Sequence, residues 1–441
     1  MIGTSLSGVT FMSVPGGVDK GHFTYMQIVL GYLLGYLVIA YVLLPLYYRL
    51  NLTSIYTYLQ SRFGNTAYKT GASFFLISRT LGASIRIFLV LNVLQVFMLD
   101  GWGIPFAVTV FAILLMILLY TFKGGVKTII WTDTLQTTFM ILALIITVFI
   151  IKAELNTSLG DLYTGLQAKG YLQIFDTDWK SKGFFVKQIL AGMFITITMT
   201  GLDQEMMQKN ISVRTLGESQ KNMVVFSVIV VFVNLLFLFL GGILYQYMAA
   251  KGIATPAHPD DVFPTIALQY LPPFAAVVFV VGLISALFPS ADGAITALTS
   301  SFCIDILGLK ERSDLNEDEK VKVRTRVHLG VAVVFLIAIV IFRYINEGSV
   351  ITAILKIAGY TYGPLLGLFA FGMLTKQGVK DKLVPLVCVL SPILTFILDK
   401  YSIDIFWGYQ MGFEVLLVNG LITFLGLLLI SYKKQDVVPS A

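Results

Sequence analysis

Residues 284–305 have the sequence ISALFPSADGAITALTSSFCID. It continues an apolar run that begins near Ala275, so we predict that it lies within a lipid bilayer, yet it contains Asp292 and several hydroxyl residues. An ionised carboxylate at membrane depth is costly unless a partner compensates it, and Asp292 is therefore a candidate functional residue. The alternative for the hydroxyls is that they join neighbouring helices or satisfy their own backbone.

The composition around this stretch is typical of a helical membrane protein. Hydrophobic residues make up 57% of the 441-residue chain and charged residues 13%. Apolar stretches of roughly 20 residues recur along the whole length, which is the length that crosses a bilayer as a helix. The net charge of +6 comes from Lys and Arg in short loops, as the positive-inside rule describes, so we predict no nucleic-acid partner. The Cys and His residues form neither a disulfide framework nor a metal motif.

Hydropathy predicts about eleven full spans after a short opening fragment. They are 25–48, 70–98, 104–122, 130–152, 187–207, 223–248, 272–303, 325–343, 350–374, 383–399 and 411–432. Basic residues are enriched in alternate loops, which places the loop 49–69 and the tail 433–441 inside and predicts a multi-pass protein of the plasma (inner) membrane. The outer loop 153–186 is either a lid over the mouth or a solvated linker.

Three basic residues lie in the interior of predicted spans, away from the span ends. Arg79 and Arg86 are seven residues apart, or about two helical turns, and so share a face. Lys356 lies in ITAILKIAGYTYGPLLG (351–367), where Gly363 and Pro364 predict an interrupted helix lining a cavity. Two interpretations remain open. These cations pair with Asp292 or Asp133 inside the protein, or they contact an anionic substrate.

Another acid stands at a predicted membrane boundary. In YTFKGGVKTIIWTDTLQTTFMI (120–141), a Gly-Gly turn precedes a span that begins near Asp133. Asp133 is a candidate ion ligand, although a carboxylate also stabilises the N-terminus of a helix electrostatically.

Five strings in order along the chain resemble the sodium/solute symporter family, which contains sodium-coupled transporters of glucose, proline and sialic acid. They are SLSGVTFMSVPG (5–16), SIYTYLQSRFG (54–64), FKGGVKTIIWTDTLQ (122–136), TGLDQEMMQKNI (200–211) and ADGAITALTSSFCID (291–305). The resemblance implies an all-α, five-plus-five inverted-repeat fold with interrupted helices of the first and sixth type. The repeats would be 1–152 and 187–374, separated by the outer loop 153–186, with two additional helices and a cytoplasmic tail in 375–441.

The resemblance also implies that the first helix is truncated. Family members have a helix before the first core helix, and here the inner half of that core helix is missing too. We therefore expect a working transporter to have residues upstream of Met1.

The resemblance implies sodium as the coupling ion. The principal sodium site would use backbone carbonyls of Gly3, Leu6 and Ala286 and the hydroxyl of Ser290, while Pro289 stands where a second hydroxyl is usual. A second site would use Asp133 together with serines of the eighth helix. In this chain the positions of those serines are occupied by Pro289, Asp292 and Gly293, so Asp133 is the one ligand of that site that is kept. We expect Asp292 to replace the lost hydroxyls and to share a sodium ion with Asp133. In the competing interpretation, Asp292 pairs permanently with Lys356 or an arginine.

By position, the resemblance also implies a set of solute-binding residues. They are Ser5, Ser7, Thr10, Tyr25, Arg79, Arg86, Thr196, Thr198, Thr200 and Lys356. Basic residues at this place favour a solute with a carboxylate, such as an acidic sugar or an organic acid.

We therefore expect a sodium-driven symporter that imports a small polar, anionic solute by alternating access. Its partners would be the solute and the bilayer, with no obligate protein partner. A neutral-sugar symporter and a non-transporting sensing module of the same fold are the alternatives. A membrane enzyme is disfavoured because the sequence has no His cluster or nucleophile–base pair.

Overall fold

The structure, a computed structural model, describes residues 7–50, 52, 54–121, 126–345 and 348–433, without the side chains of 120–132 and of Pro289. The expected ligands Gly3, Ser5 and Leu6 lie outside the described residues.

The described chain is almost entirely helical. Its helices are α1 (Gly8–Gly16), α2 (Val18–Gly21), α3 (Tyr25–Leu50), α4 (Thr57–Arg62), α5 (Asn65–Trp102), α6 (Phe106–Thr121), α7 (Val126–Glu154), α8 (Leu159–Ala168), α9 (Phe185–Gly201), α10 (Gln204–Ile211), α11 (Leu216–Lys251), α12 (Val262–Thr265), α13 (Pro273–Ile306), α14 (Glu317–Ile345), α15 (Val350–Thr361), α16 (Gly363–Leu374), α17 (Val384–Lys400), α18 (Ser402–Ile405) and α19 (Val415–Leu429). Strand β1 (Gly378–Val379) pairs antiparallel with β2 (Ser431–Tyr432).

Within the described ranges, seven helices are long and apolar enough to cross a membrane, namely α3, α5, α7, α11, α13, α14 and α17. Two further spans are bent pairs: α9 and α10 meet at 70°, and α15 and α16 meet at 47°. Helices α6 and α19 are shorter and apolar. Each of the eleven predicted spans therefore coincides with a helix or with a bent pair.

The two bends follow from the sequence. Pro364 has no backbone N–H to continue a helix, and the chain breaks between Thr361 and Gly363 as its sequence predicts. The other break is at Leu202–Asp203, where the π turn Ile197–Gly201 ends and Asp203 caps α10 by accepting a hydrogen bond from Met206 N–H at 3.0 Å. This second break places polar backbone at membrane depth.

Helices α3 and α9 approach each other at glycines. A side chain at Gly192 would overlap the carbonyl of Ile28, and a side chain at Gly31 would overlap the carbonyl of Ile189. Small residues permit such close backbone packing between membrane helices. The cavity described below lies along this pair.

The long outer loop packs on the helices. Leu162 and Leu166 of α8 are buried, and the Tyr171 hydroxyl donates to Asp19 Oδ1 at 3.0 Å. The amide of Phe23 donates to the carbonyl of Gln173 at 3.1 Å. This loop is therefore attached to the start of α3 at these contacts, while most of its other residues are exposed. That it acts as a lid stays a prediction.

Candidate solute cavity and ion cluster

The break between α9 and α10 leaves backbone carbonyls without helical partners, and two buried tyrosines satisfy them. Tyr47 donates to the carbonyl of Gly201 at 2.9 Å, and Tyr56 donates to that of Leu202 at 2.8 Å. Non-helical backbone at membrane depth is stable only where such partners or a polar cavity are available. These two hydrogen bonds therefore stabilise the break, and a cavity lies beside it.

This cavity of about 110 Å³ is enclosed by α1, α3, α5, α9, α10, α11 and α15. It brings together seven of the predicted solute residues: Ser7, Thr10, Tyr25, Arg79, Arg86, Thr196 and Thr200. Its remaining lining is Val9, Tyr32, Tyr36, Ile195, Met199, Met206, Val230, Asn234, Ile351, Ile354 and Leu355. The predicted residues on four different helices therefore do converge on one space.

Two predicted solute residues do not line this cavity. Thr198 is buried, and its hydroxyl donates to the backbone carbonyls of Phe194 and Ile195. Lys356 follows the buried residues Ile354 and Leu355 on α15 but does not line the cavity, and its side chain is 59% exposed. Its ammonium is 3.5 Å from Asp399 Oδ2 on α17. The expectation that Lys356 reaches the cavity or pairs with Asp292 or Asp133 is therefore not met.

The two arginines of α5 differ in their surroundings. Arg79 is only 4% exposed and forms ion pairs with Glu205 and, at 3.5 Å, with Asp203 Oδ2. These ion pairs are formed with Asp203 and Glu205, and not with Asp292 or Asp133 as expected from the sequence. Arg86 is partly buried and lines the same cavity, and no carboxylate in the described part of the chain lies within ion-pair distance of it. Among the described residues, the cavity therefore has one guanidinium in direct ion pairs and one without a carboxylate at ion-pair distance.

A cluster of charged residues lies directly beyond Arg79. Glu205 also accepts from the Lys209 ammonium at 2.9 Å, and this ammonium is 3.5 Å from Asp133 Oδ2. Lys209 lies beyond the end of the predicted span 187–207, where a cytoplasmic loop is expected, but it belongs to α10, which continues to Ile211. Asp292 is close enough to interact electrostatically with the same ammonium. We name Arg79, Asp203, Glu205, Lys209 and Asp133 the ion cluster.

The predicted sodium ligands of α13 are all buried. Ala286 is 2% exposed, Ser290 is 3% exposed and Asp292 is fully buried, with one carboxylate oxygen accepting from the amide of Gly293. Within the described part of the chain, the Ser290 hydroxyl has no hydrogen-bond partner. A buried hydroxyl without a partner fits a place where an oxygen-binding cation is expected. Oxygen ligands of this kind suit a hard cation such as sodium.

Residue patterns alone did not single out Asp203, Glu205 and Lys209, nor Tyr32, Tyr36 and Asn234. The spacing of Glu205 and Lys209, four residues apart, does indicate a shared helix face. Likewise, Tyr25, Tyr32 and Tyr36 are separated by seven and four residues, which places their side chains on one side of α3. The hydroxyls of Tyr25 and Tyr32 are 3.3 Å apart. The helical spacing in the sequence therefore predicts that the residues of each of these two groups share a helix face.

Comparison with known proteins gives relatives along most of the chain. The sodium/sialic acid symporter SiaT of Proteus mirabilis (strain HI4320) is 22% identical over 430 residues, which cover 95% of this chain and 85% of SiaT. The human sodium-coupled monocarboxylate transporter 1 is 26% identical over 392 residues, covering 84% of this chain and 60% of that protein.

Solved structures have the same fold. The substrate-bound outward-open state of a Na⁺-coupled sialic acid symporter matches with a TM-score of 0.80 at 20% identity, covering 97% of this chain and 87% of that one. Mhp1, a nucleobase-cation-symport-1 family transporter, matches with a TM-score of 0.57 at 11% identity, covering 96% and 88% of the two chains. These matches confirm the all-helical, inverted-repeat transporter fold.

The family model for the sodium:solute symporter family matches residues 1–380. That match confirms the resemblance seen in the five sequence strings. The chain belongs to the sodium:solute symporter family and is a multi-pass, sodium-coupled solute symporter, not an enzyme.

Proposed function

We propose that the protein imports a small solute bearing a carboxylate together with sodium, and that Arg86 pairs with this carboxylate. The single observation behind the proposal is the Arg86 guanidinium in the cavity wall, which has no carboxylate of the described residues within ion-pair distance. A partly desolvated cation is unfavourable without a partner and favourable with one, so a charged ligand gains where a neutral ligand does not. The planar guanidinium can also bind both carboxylate oxygens at once.

The names of two relatives support an anionic solute. One is a sodium/sialic acid symporter and the other a sodium-coupled monocarboxylate transporter, and both solutes bear a carboxylate. The cavity of about 110 Å³ is small beside ordinary ligand pockets of about 300–1,000 Å³. We therefore favour a compact organic acid over a larger acidic sugar.

A neutral sugar is the second candidate. Thr10, Thr196, Thr200 and Asn234 offer hydroxyl and amide groups to the cavity, and such groups suit sugar hydroxyls. The charge of Arg86 makes this candidate the weaker one.

The deciding experiment compares two charge-removing variants of the reconstituted protein. We expect Arg86→Gln to weaken the best carboxylate solute by at least tenfold, which corresponds to about 1.4 kcal/mol. Lys356→Gln is the matched control, because it removes a charge from outside the cavity. We expect it to leave solute affinity unchanged. Sodium-gradient-driven uptake of a monocarboxylate, a sialic acid and a neutral sugar into proteoliposomes measures this.

Two results would contradict the proposal. One is that the neutral sugar is the best solute. The other is that Arg86→Gln binds a carboxylate solute as tightly as the unmodified protein does.

For the coupling ion, we propose a site on α13 formed by the Ala286 carbonyl, the Ser290 hydroxyl and Asp292. Gly3 and Leu6 remain proposed ligands from outside the described residues. The buried, unpartnered Ser290 hydroxyl and the fully buried Asp292 support this site. We further propose that the membrane is the plasma (inner) membrane, with the basic loops on its inner side.

Asp292→Asn tests this sodium site. Removal of a ligand charge weakens the attraction for a cation, so we expect the sodium midpoint of uptake to rise by about tenfold or more, about 1.4 kcal/mol. A sodium titration of uptake gives this midpoint, and a thermal unfolding curve checks that the variant is folded. An unchanged midpoint in a folded variant would disprove the role of Asp292.

A further inference from the structure

We infer that the Lys209 ammonium serves as a tethered cation for Asp133, so that the protein couples solute import to one sodium ion and not to two. The inference rests on sodium coupling and is independent of the proposed anionic solute.

The first step is the charge requirement of Asp133. This carboxylate is 5% exposed at the inner part of α7, where an ionised acid needs a compensating positive charge. The Lys209 ammonium is 3.5 Å away and has the same unit charge as a sodium ion. Glu205 holds this ammonium from the other side at 2.9 Å. Asp133 thus already has the monovalent cation that it needs.

The second step is the geometry that brings Lys209 to this place. The 70° bend between α9 and α10 turns the short helix toward α7 and α13. Glu205 and Lys209 lie four residues apart on one face of α10, and Gly293 on α13 has no side chain to obstruct Glu205. Because Lys209 is covalently attached, its effective concentration at Asp133 exceeds that of a free ion in solution.

The third step is the shortage of oxygen ligands. Hard cations are surrounded by about six oxygens, and the second sodium site that the family resemblance implies would draw hydroxyls from α13. Here those positions are Pro289, Asp292 and Gly293, none of which has a hydroxyl. Among the described residues, Asp133 Oδ1 has no hydrogen-bond partner, and the three hydroxyls that would complete a sodium site around it are absent from these positions of α13. The donor set therefore suits Lys209 better than sodium.

The experiment counts bound sodium on the full chain in detergent, with ²²Na⁺ alone as the probe, so that an unidentified solute is not needed. We expect one sodium per chain. Asp133→Asn should leave the number of bound ions and the midpoint unchanged within about twofold, whereas Asp292→Asn shifts the midpoint. Two ions per chain, or the loss of an ion in Asp133→Asn, would overturn the inference.

A second pair of variants covers the case in which Asp133→Asn does not fold. Lys209→Gln removes the tethered charge, while Lys209→Arg keeps it. We expect the unfolding temperature of Lys209→Gln to depend more strongly on the sodium concentration than that of the unmodified protein does. The unfolding temperature of Lys209→Arg should depend on sodium as that of the unmodified protein does. Choline replaces sodium as the ionic-strength control. Equal sodium dependence in all three proteins would overturn the inference. Failure of the anionic-solute proposal would leave both measurements unaffected.

Discussion

Asp260 is a buried carboxylate outside the membrane spans. It lies in the turn Pro259–Asp261 and accepts a hydrogen bond at 2.8 Å from the amide of Val350, the first residue of α15. The carbonyl of the neighbouring Pro259 lies against Gly16 of α1, where any side chain would collide with it. Burial raises the pKa of Asp260 above its ordinary value, although the hydrogen bonds from Val350 and Ser349 oppose this shift.

The raised pKa predicts a pH-dependent stability. A group with a higher pKa in the folded state stabilises the protein below its ordinary pKa of 3.8, and this stabilisation is lost as the pH rises through the raised value. Each unit of increase corresponds to about 1.4 kcal/mol. We therefore expect Asp260→Asn to flatten the fall in unfolding temperature between about pH 4 and neutrality, measured by thermal unfolding in detergent.

The control for this residue is Asp318→Asn, which alters an exposed acid in the first turn of α14. Its unfolding profile should match that of the unmodified protein. If the pH dependence of the unfolding temperature of Asp260→Asn also matches that of the unmodified protein, the burial of Asp260 has no measurable effect on the pH dependence of stability.

At the scale of elements, the contact between α3 and α9 is the tightest constraint around the cavity. Tyr25, Tyr32 and Tyr36 of α3 and Thr196 and Thr200 of α9 form its wall, so their positions depend on the glycine contact between the two helices. A change in the spacing of these helices would therefore move several cavity residues together.

Gly192→Ala tests this contact. The added methyl group meets the backbone carbonyl of Ile28, which cannot rotate away, so we expect a loss of about 1–3 kcal/mol and a lower unfolding temperature. Gly330→Ala is the matched control, since a methyl group on α14 would meet nothing within 4 Å. It should be neutral or slightly stabilising, because alanine is the better helix former. Equal unfolding temperatures for the two variants would contradict this account.

The elements also show what the sequence can predict. Hydropathy locates eleven spans because crossing a bilayer requires about 20 apolar residues, and Pro364 predicts the second bend because it cannot donate a backbone hydrogen bond. Rotation of a helix about its axis is harder to predict in a lipid environment, where both faces are apolar. The sequence therefore predicts that Lys356 faces the cavity, whereas its ammonium lies beside Asp399 on α17.

For the molecule as a whole, residue patterns do not indicate which segments distant in sequence come into contact. Arg79 and Glu205 are 126 residues apart in sequence, and their contact depends on the packing of α5 against the bent α9–α10 pair. Similarly, Asp381 accepts hydrogen bonds from the first amides of α5, those of Thr66 at 2.9 Å and Ala67 at 2.7 Å, across more than 300 residues. The family resemblance located the cavity residues, but the partners within the ion cluster required the coordinates.

Arg79 borders the cavity with one side and belongs to the ion cluster with the other. A negative charge that enters the cavity attracts a guanidinium that Glu205 and Asp203 already hold, so the cavity and the ion cluster cannot be energetically independent. Lys209 of the same cluster interacts electrostatically with Asp292 of the proposed sodium site. Solute-free, sodium-bound, solute-bound and doubly bound proteins then form a closed thermodynamic cycle. Whatever factor sodium applies to the affinity for the solute, the solute must apply to the affinity for sodium, and a single pair of titrations measures this reciprocity from both directions.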